Sequence, residues 1–390
     1  MKRMVFLFLF VSSSLMGQTF LSSQAEISLI TCGPGQNELY SAFGHSALRV
    51  KDPSQALDIV FNYGTFDFDQ PNFYLNFARG ALLYQLSVNS WDRFIVSYQR
   101  EGRYVHEQVL NLDSSQAQSY FNFLLRNASP EHRAYYYDYF YDNCATRIRD
   151  GLSEALEPAV LEFSGLSFYQ PPLSIRQLCD EYLAYQAWGD LGIDICLGLP
   201  MDKEADQQIE MFLPDLLEKA FADAEIRHSG ISKPLIKESR ELLRQTVIPE
   251  KSLWTPFFFF GALLVLIVLL TVLAYNKLRL WSILDGILFS ISGLLGLFLL
   301  ALWLLTDHQA AAWNFNIAIF LPFNLLVLAA LFRGKLKTWQ RKYISYLPYY
   351  YALLLAVWMF LPQQLPMAFL PWLGIFILRA WHIARKYASV

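Results

Sequence analysis

The spacing of apolar residues divides the chain into two parts that meet near Lys251. Before this point short apolar runs alternate with polar turns, and after it the apolar runs are long and carry few charges. An uncharged apolar run of about 20 residues is long enough to cross a bilayer as a helix. Leu253–Tyr275 is such a run, and the sequence predicts four further spans, roughly at Trp281–Leu305, Asn314–Phe332, Tyr346–Leu361 and Met367–Ala384. Residues 251–390 are therefore predicted to form an all-α transmembrane domain.

The first part has the pattern of an α+β domain. Short runs of strand-forming residues end at turn residues, and amphipathic helices lie between them. The predicted strands are Ile27–Thr31, His45–Val50, Leu57–Tyr63, Leu82–Val88 and Arg103–Leu112. The predicted helices are Trp91–Gln99, Ser114–Leu125 and one that begins near Cys144. We expect a small antiparallel sheet with helices packed against it over residues 25–157.

Residues 158–250 show helical patterns at roughly Ser174–Tyr185 and Gln207–Ala224. We interpret this segment as a helical extension between the α+β domain and the membrane. It contains Cys179 and Cys196, which are able to form a disulfide in an oxidising compartment. The sequence does not decide this pairing, nor whether Cys32 takes part in one.

The N-terminus has the pattern of a cleaved signal peptide, predicted over residues 1–24. A basic start is followed by the apolar run Val5–Val11 and by small residues. Lysines and arginines follow the first, third and fifth predicted spans, whereas the loops Thr306–Trp313 and Pro362–Pro366 carry none. By the positive-inside rule the C-terminus is cytoplasmic and the α+β domain lies on the opposite side.

Composition agrees with a membrane protein and excludes one class of partner. The chain of 390 residues is 54% hydrophobic and only 17% charged, which is too apolar for an ordinary soluble protein. Its net charge of −3 gives no indication of nucleic-acid binding. We expect neither a metal nor a cofactor.

The most reactive candidate is Cys144, which directly follows Asp142 and Asn143. Asp and Asn are favoured caps at helix starts, and Cys144, Ile148 and Leu152 share one helical face. Cys144 therefore falls in the first turn, where the helix dipole and free N–H groups stabilise a thiolate. A buried structural cysteine at a helix start fits this stretch equally well.

A thiolate nucleophile needs a base within hydrogen-bonding reach. His45 opens a predicted strand, and a hairpin turn centred on Asp52–Gln55 places Asn62 across from it, about 5 Å away between Cβ atoms. Asn62 is then able to orient the imidazole, although a register slip of one residue replaces it by a neighbour. His106, on another predicted strand, is an alternative base.

A base on a strand and a nucleophile at a helix start is the papain-type arrangement, here with His45 before Cys144. This order is that of circularly permuted members of the NlpC-type papain-like superfamily, which includes lecithin:retinol acyltransferase. The dipeptide Asn143-Cys144 resembles the Asn-Cys at the helix start of those proteins.

Four motifs together resemble the Lnb family, the lipoprotein N-acyltransferases of Bacteroides-type bacteria. The motifs are Thr31–Gly35, Leu39–His45, Phe61–Phe68 and Asp142–Asp150. The resemblance implies an enzyme of the bacterial inner membrane with a periplasmic domain and a multi-span region. It further implies transfer of an acyl chain from a phospholipid to the α-amine of a lipoprotein's N-terminal diacylglyceryl-cysteine. On the motif match Cys144 is the nucleophile and His45 the base, whereas Asn62 is inferred from the hairpin.

Other residues are candidates for positioning groups. Tyr40 and Asn143 lie in these motifs, and Tyr141 directly precedes the last of them. All three are candidates for oxyanion or substrate contacts, together with the N–H groups at the helix start. Asp307 and His308 lie in a loop predicted on the same side as Cys144 and are candidates for contact with lipid headgroups, although a hydrated loop explains them as well.

Two other functions are compatible with the same residues. A cell-wall peptidase or amidase also uses a Cys–His pair but gives no reason for five spans. A non-enzymatic membrane receptor or scaffold, with Cys144 as a structural residue, needs no base.

Overall fold

A computed structural model describes residues 20–66, 69–273, 278–333 and 335–388 of the chain. Most of the predicted signal peptide, 1–24, therefore lies outside the described residues.

The described residues before Lys251 form ten strands in two sheets. The strands are β1 (Glu26–Cys32), β2 (His45–Asp52), β3 (Leu57–Thr65), β4 (Leu83–Ser90), β5 (Val105–Leu110), β6 (Ala134–Tyr136), β7 (Val160–Glu162), β8 (Glu225–His228), β9 (Ile231–Pro234) and β10 (Ile236–Leu243). The larger, seven-stranded sheet has the order β10-β5-β1-β2-β3-β4-β6, and the smaller has the order β7-β8-β9. All pairs are antiparallel.

The helices divide between the two parts of the chain. The first part contains α1 (Phe73–Arg79), α2 (Trp91–Glu101), α3 (Ser114–Asn127), α4 (Cys144–Ala155), α5 (Ile175–Leu183), α6 (Ala187–Cys196), α7 (Gln207–Glu210) and α8 (Pro214–Asp223). The second contains α9 (Pro256–Leu273), α10 (Leu278–Leu305), α11 (Asn316–Ile319), α12 (Leu328–Arg333), α13 (Thr338–Val357) and α14 (Phe369–Ala388).

The large sheet is buried on both faces because its central strands carry apolar residues on both faces. On one face Leu48 and Phe61 pack with Phe121 of α3 and Ile148 of α4. On the other face a smaller cluster includes Phe94 of α2. The sheet therefore holds α4, and with it Cys144, against β2 and β3. This confirms the predicted α+β architecture.

The hairpin of β2 and β3 differs from its predicted register by two residues. Leu48, rather than Ser46, lies across from Phe61, because the connection includes an additional residue, Ala56, in the left-handed conformation (φ 52°). Since side chains alternate with a period of two, a shift of two residues keeps Asn62 on the face predicted for it.

The segment 158–250 differs from the predicted helical extension. It contains α5 to α8, but four strands lie there as well, and β10 joins the large sheet beside β5. The sequence of β10 has few apolar residues, so its pattern alone does not predict a strand. Arg240 of β10 forms ion pairs with Glu107 on the adjacent strand β5 and with Glu26 on β1, the strand beyond it. These ion pairs stabilise the added edge.

No disulfide forms between Cys179 and Cys196 in the structure. All four cysteines of the chain are free thiols. Cys179 is buried in α5, and Cys196 is half-buried at the end of α6.

Four of the five predicted spans match helical segments of the described residues that are long and apolar enough to cross a membrane. These segments are Pro256–Leu273, Trp281–Leu305, Asn316–Arg333 and Thr338–Phe360. The region of the predicted fifth span forms α14, a helix of 20 residues that includes Arg379, Arg385 and Lys386. Its crossing of the membrane stays a prediction.

The third span is not one continuous α-helix, since α11 ends at Ile319, a 3-10 helix follows over Pro322–Val327, and α-helical geometry returns only in α12. A Cβ atom at Gly296 of α10 would lie 1.7 Å from the Phe320 carbonyl oxygen, so only glycine permits this approach. Tyr350 of α13 donates a hydrogen bond to the Ala318 carbonyl (2.9 Å). Such side-chain partners replace helical hydrogen bonds where no water is available.

The two loops without basic residues lie against the first part of the chain. The Gly198 N–H donates to the Ala310 carbonyl (2.7 Å), and the Asn314 amide donates to the Ile195 carbonyl (2.8 Å). From the second loop the Gln363 amide donates to the Leu197 carbonyl (3.1 Å). The end of α6 and the turn after it therefore form the platform that fixes the α+β domain on the membrane helices.

An apolar cavity of about 570 Å³ lies between α9, α10 and α14. Phe260, Leu288 and Trp372 line it, and Trp188 of α6 contributes to its lining from the first part of the chain.

Candidate active site

Asn143 fixes the start of α4 and therefore the position of Cys144. Its side-chain oxygen accepts the N–H of Ala145 (2.9 Å), and its amide donates to the carbonyls of Tyr139 (2.9 Å) and Phe212 (2.8 Å). These bonds use the polar groups of a side chain that is buried. Asn143 is a helix cap that holds Cys144 in place, and it has no group left to bind a substrate.

The structure brings Cys144, His45 and Asn62 together. The Nε2 atom of His45 lies 2.6 Å from Oδ1 of Asn62, and the imidazole is also hydrogen-bonded to the Cys144 thiol. Because Asn62 occupies Nε2, Nδ1 is the nitrogen left for the sulfur. Gly44, with φ of +78°, lets the chain turn into His45, and a Cβ there would lie 2.8 Å from the Cys32 carbonyl oxygen.

The electrostatics of this cluster favour a thiolate–imidazolium pair. Burial raises the pKa of Cys144, but the charge and hydrogen bond of His45 outweigh it and hold that pKa below the ordinary value, with help from the N–H groups of Ser46 and Ala145. Burial likewise lowers the pKa of His45, but the Cys144 charge and the hydrogen bonds to Cys144 and Asn62 raise it above its ordinary value. Each group stabilises the charged form of the other.

The pKa values of the other three cysteines are raised rather than lowered. Burial raises the pKa of Cys32 to about 12 and that of Cys196 to about 11. The pKa of Cys179 is raised well above its usual range, again chiefly by burial. Of the four cysteines, Cys144 alone has a lowered pKa, which is the property that favours a reactive thiolate.

Limited treatment with iodoacetamide at pH 7 is expected to alkylate Cys144 at least about tenfold faster than the other thiols, because the thiolate is the reacting form. Because the pKa of Cys144 is lowered, its alkylation should continue at pH values below about 8.5, where an ordinary thiol becomes protonated and unreactive. Peptide mass spectrometry measures the site and rate of labelling. In the matched variant His45→Ala the rate at pH 7 should fall, since the stabilising cation is gone. Faster labelling of the half-buried Cys196 would contradict the assignment.

Other predicted residues lie outside this cluster. Tyr40 and Tyr141 are surface residues, 72% and 47% exposed, and no described contact joins them to the sulfur. His106 of β5 is not at the cluster either, because it is paired with Glu218 of α8 (3.0 Å).

The loop with Asp307 and His308 contacts α1. The Asp307 N–H donates to the Arg79 carbonyl (2.9 Å), and Nε2 of His308 lies 3.2 Å from the Phe77 carbonyl oxygen. These residues attach the α+β domain to the membrane helices. Their contact with lipid headgroups stays a prediction.

Sequence reasoning missed two contributions near the sulfur. The first is the Ser46 N–H, which faces Cys144 from β2 and is a donor of the kind that stabilises an oxyanion. The second is Tyr137, which approaches because Gly64 has no side chain: a Cβ there would lie 3.4 Å from Tyr137 and 3.8 Å from the Cys144 Cβ. A glycine inside a strand signals such a close approach.

Three carboxylates form a second titratable cluster at the platform. Single oxygens of Asp180, Asp190 and Asp194 lie within 4.8 Å of one another. Burial and mutual repulsion raise the pKa of Asp180 to about 8 and that of Asp190 to about 7. The cluster therefore shares protons near neutral pH, and the buried guanidinium of Arg176 balances the charge of Asp194 (2.8 Å). The expectation that the chain binds no metal stays a prediction.

Fold and site together define a class. This is a multi-span membrane protein whose extramembrane α+β domain holds a Cys–His–Asn cluster at a helix start and is attached to the membrane helices.

Comparison with protein families gives the particular family. The family model described as the Lnb N-terminal periplasmic domain matches residues 13–181, and that of the Lnb transmembrane domain matches residues 248–389. The two cover most of the chain, which belongs to the Lnb family. This confirms the resemblance seen in the motifs. It makes the protein a multi-pass inner-membrane protein and suggests an enzyme of lipoprotein maturation. No curated protein and no solved structure matches the chain significantly.

Proposed function

We propose that the protein is a lipoprotein N-acyltransferase with Cys144 as its nucleophile. The observation that carries this proposal is the hydrogen-bonded series Cys144–His45–Asn62 in a domain held against the membrane helices. A cysteine at a helix start with a histidine on a strand is the arrangement of a circularly permuted papain-like site. Family membership supports lipoprotein processing, and attachment to the membrane suits substrates that are anchored by lipid.

In the first half-reaction the Cys144 thiolate attacks the ester carbonyl of a phospholipid. A bond forms between Sγ and the carbonyl carbon, and the negative charge moves to the carbonyl oxygen, within reach of the Ser46 N–H. When the ester C–O bond breaks, the imidazolium of His45 gives its Nδ1 proton to the departing glycerol oxygen. The products are a lysophospholipid, a thioester on Cys144 and a neutral His45.

In the second half-reaction the α-amine of a diacylglyceryl-cysteine attacks the thioester. Neutral His45 takes a proton from the amine as the new amide bond forms. The C–S bond then breaks and returns the Cys144 thiolate, which restores the ion pair. Asn62 keeps Nε2 of the ring occupied, so that Nδ1 faces the sulfur in both steps. Cys144 is only 6% exposed, which limits the access of water to the thioester.

In the topology that we propose, the chain crosses the membrane five times and its C-terminus is cytoplasmic. The loops at 306–313 and 362–366 both contact the platform after α6, which supports their position on the periplasmic side. From the second loop α14 runs for 20 residues toward the basic residues at its end, a length sufficient to cross a bilayer. Cysteine accessibility at engineered positions on both sides of the membrane tests this topology.

The N-terminal peptide of a lipoprotein is expected to lose one fatty acyl chain in cells that lack this protein. Mass spectrometry of the peptide measures the loss, and expression of the wild-type chain should restore the acyl group while Cys144→Ala should not. A peptide that keeps its N-acyl group in the absence of this protein and of any second N-acyltransferase would refute the proposal. Release of fragments from purified cell wall would then favour a peptidase or amidase.

A further inference from the structure

A continuous series of aromatic rings connects the membrane boundary of the α+β domain with the catalytic cluster. We call this series the aromatic track; it consists of Phe77, Phe73, Phe66, Tyr84 and Tyr137. Successive ring centroids are separated by 6.5, 5.9, 5.2 and 4.2 Å in that order. These are contact distances for aromatic pairs, so the track is an unbroken series of rings from α1, past the end of β3 and across β4, to the residue after β6.

One end of the track lies at the nucleophile. The ring of Tyr137 approaches Cys144 across Gly64, where a Cβ would lie 3.4 Å from Tyr137 and 3.8 Å from the Cys144 Cβ. Burial, together with the charge of Cys144, raises the pKa of Tyr137 well above its usual range. The phenol therefore stays neutral and presents a ring rather than a charge beside the sulfur.

The other end lies at the membrane boundary. Two carbonyl groups of α1 contact the loop that follows α10. The Phe77 carbonyl faces Nε2 of His308, and the Arg79 carbonyl accepts the N–H of Asp307. Phe77 is 57% exposed, and Phe66 and Phe73 are half-buried. This part of the track therefore exposes apolar surface close to the end of α10. Aromatic rings that served only as a hydrophobic core would be buried instead.

We propose that the aromatic track binds the acyl chain of the phospholipid donor while its carbonyl group is at Cys144. This inference rests on the proposed function. The donor chain is the occupant that fits, because it is linear and apolar, starts in the membrane and carries its reacting carbonyl at one end. The acceptor presents an amine to the thioester, so its own lipid chains need not reach the sulfur. The track thereby makes the enzyme selective for long acyl chains, since each buried methylene strengthens binding about fourfold.

The test uses the purified full-length protein in detergent and two esters that differ in chain length, p-nitrophenyl palmitate and p-nitrophenyl butyrate. The initial burst of p-nitrophenol reports acylation of Cys144 by each ester. In Phe73→Ala and Phe66→Ala the ratio of the palmitate rate to the butyrate rate is expected to fall at least about tenfold, since both remove ring surface from the chain site. Phe123→Ala is the matched control, because Phe123 is a half-buried ring that packs on Tyr120, outside the track. Its ratio should equal that of the wild type.

Each result has one meaning. An unchanged ratio in both track variants would overturn the inference, and so would an equal fall of both rates, because a purely structural role affects short and long chains alike. If the wild-type protein forms no acyl-enzyme with either ester, the proposed function fails rather than the track.

A second measurement uses a phospholipid with a photoreactive group in its acyl chain. Cross-links to the peptides that contain Phe66, Phe73 or Tyr84 are expected. Cross-links confined to the cavity between α9, α10 and α14 would overturn the inference.

Discussion

Replacing Cys144 by alanine is expected to lower the rate of N-acyl transfer by at least about 10³-fold, the scale on which nucleophile deletions act in enzymes with covalent intermediates. The acyl chain is held on the sulfur between the two half-reactions, so no thioester forms without it, and His45 has no nucleophile to activate. The assay is transfer of a labelled acyl chain from a phospholipid to a synthetic diacylated lipopeptide by the purified protein in detergent.

The matched control for this variant is Cys196→Ala. Cys196 is a half-buried thiol whose pKa burial raises to about 11, and it lies in the platform rather than in the cluster. This control should keep the wild-type rate. Without acceptor, the wild-type protein should also accumulate an acyl group that neutral hydroxylamine releases from Cys144. Transfer by Cys144→Ala at a rate near that of the wild type would eliminate the nucleophile assignment.

Replacing Asp285 by asparagine is expected to destabilise the membrane domain by about 3–5 kcal/mol, the usual cost of breaking a buried ion pair. Asp285 of α10 and Arg379 of α14 form a two-pronged pair at 2.7 and 3.0 Å, and both side chains are almost inaccessible to solvent. Arg379 also receives stabilisation from the ring of Trp281, 3.8 Å from its guanidinium carbon. Loss of the carboxylate leaves that cation uncompensated, so Tm in detergent should fall by roughly 10 °C.

A double variant separates the lost pair from a general effect of substitution. Combining Asp285→Asn with Arg379→Gln removes both charges and should recover most of the lost stability. Asp307→Asn, which removes an exposed carboxylate, is the matched control and should leave Tm unchanged. Equal Tm values in the single and double variants would show that the pair does not stabilise the bundle.

The architecture followed from local patterns. The division near Lys251, the four helical segments long and apolar enough to cross a membrane and the α+β class all rest on periodicity and length, which depend on residues close together in the chain. The same is true of the helix that begins at Cys144, since a cap such as Asn143 acts within three residues of itself. Interactions between residues this close in the chain are predictable from a single sequence.

The geometry around the sulfur was only partly predictable. His45 and Cys144 were recognisable by type and motif, and Asn62 by its face on the hairpin. The actual hairpin register differs by two residues because Ala56 lengthens the turn. The contributions of Ser46 and Tyr137 depend on where β2, β3 and α4 meet, and no local pattern encodes that meeting point.

What the sequence by itself determined is the order of elements, the two-part organisation and the residue types available for chemistry, because these follow from interactions between near neighbours. Only the tertiary structure decided that β10 completes the sheet and that the third span breaks before Pro322. Only the tertiary structure decided, too, that Arg379, inside the predicted fifth span, is buried against Asp285, 94 positions away. Pairing, close approach and charge compensation join residues distant in the chain, and their free energy exists only once the fold has brought the partners into contact.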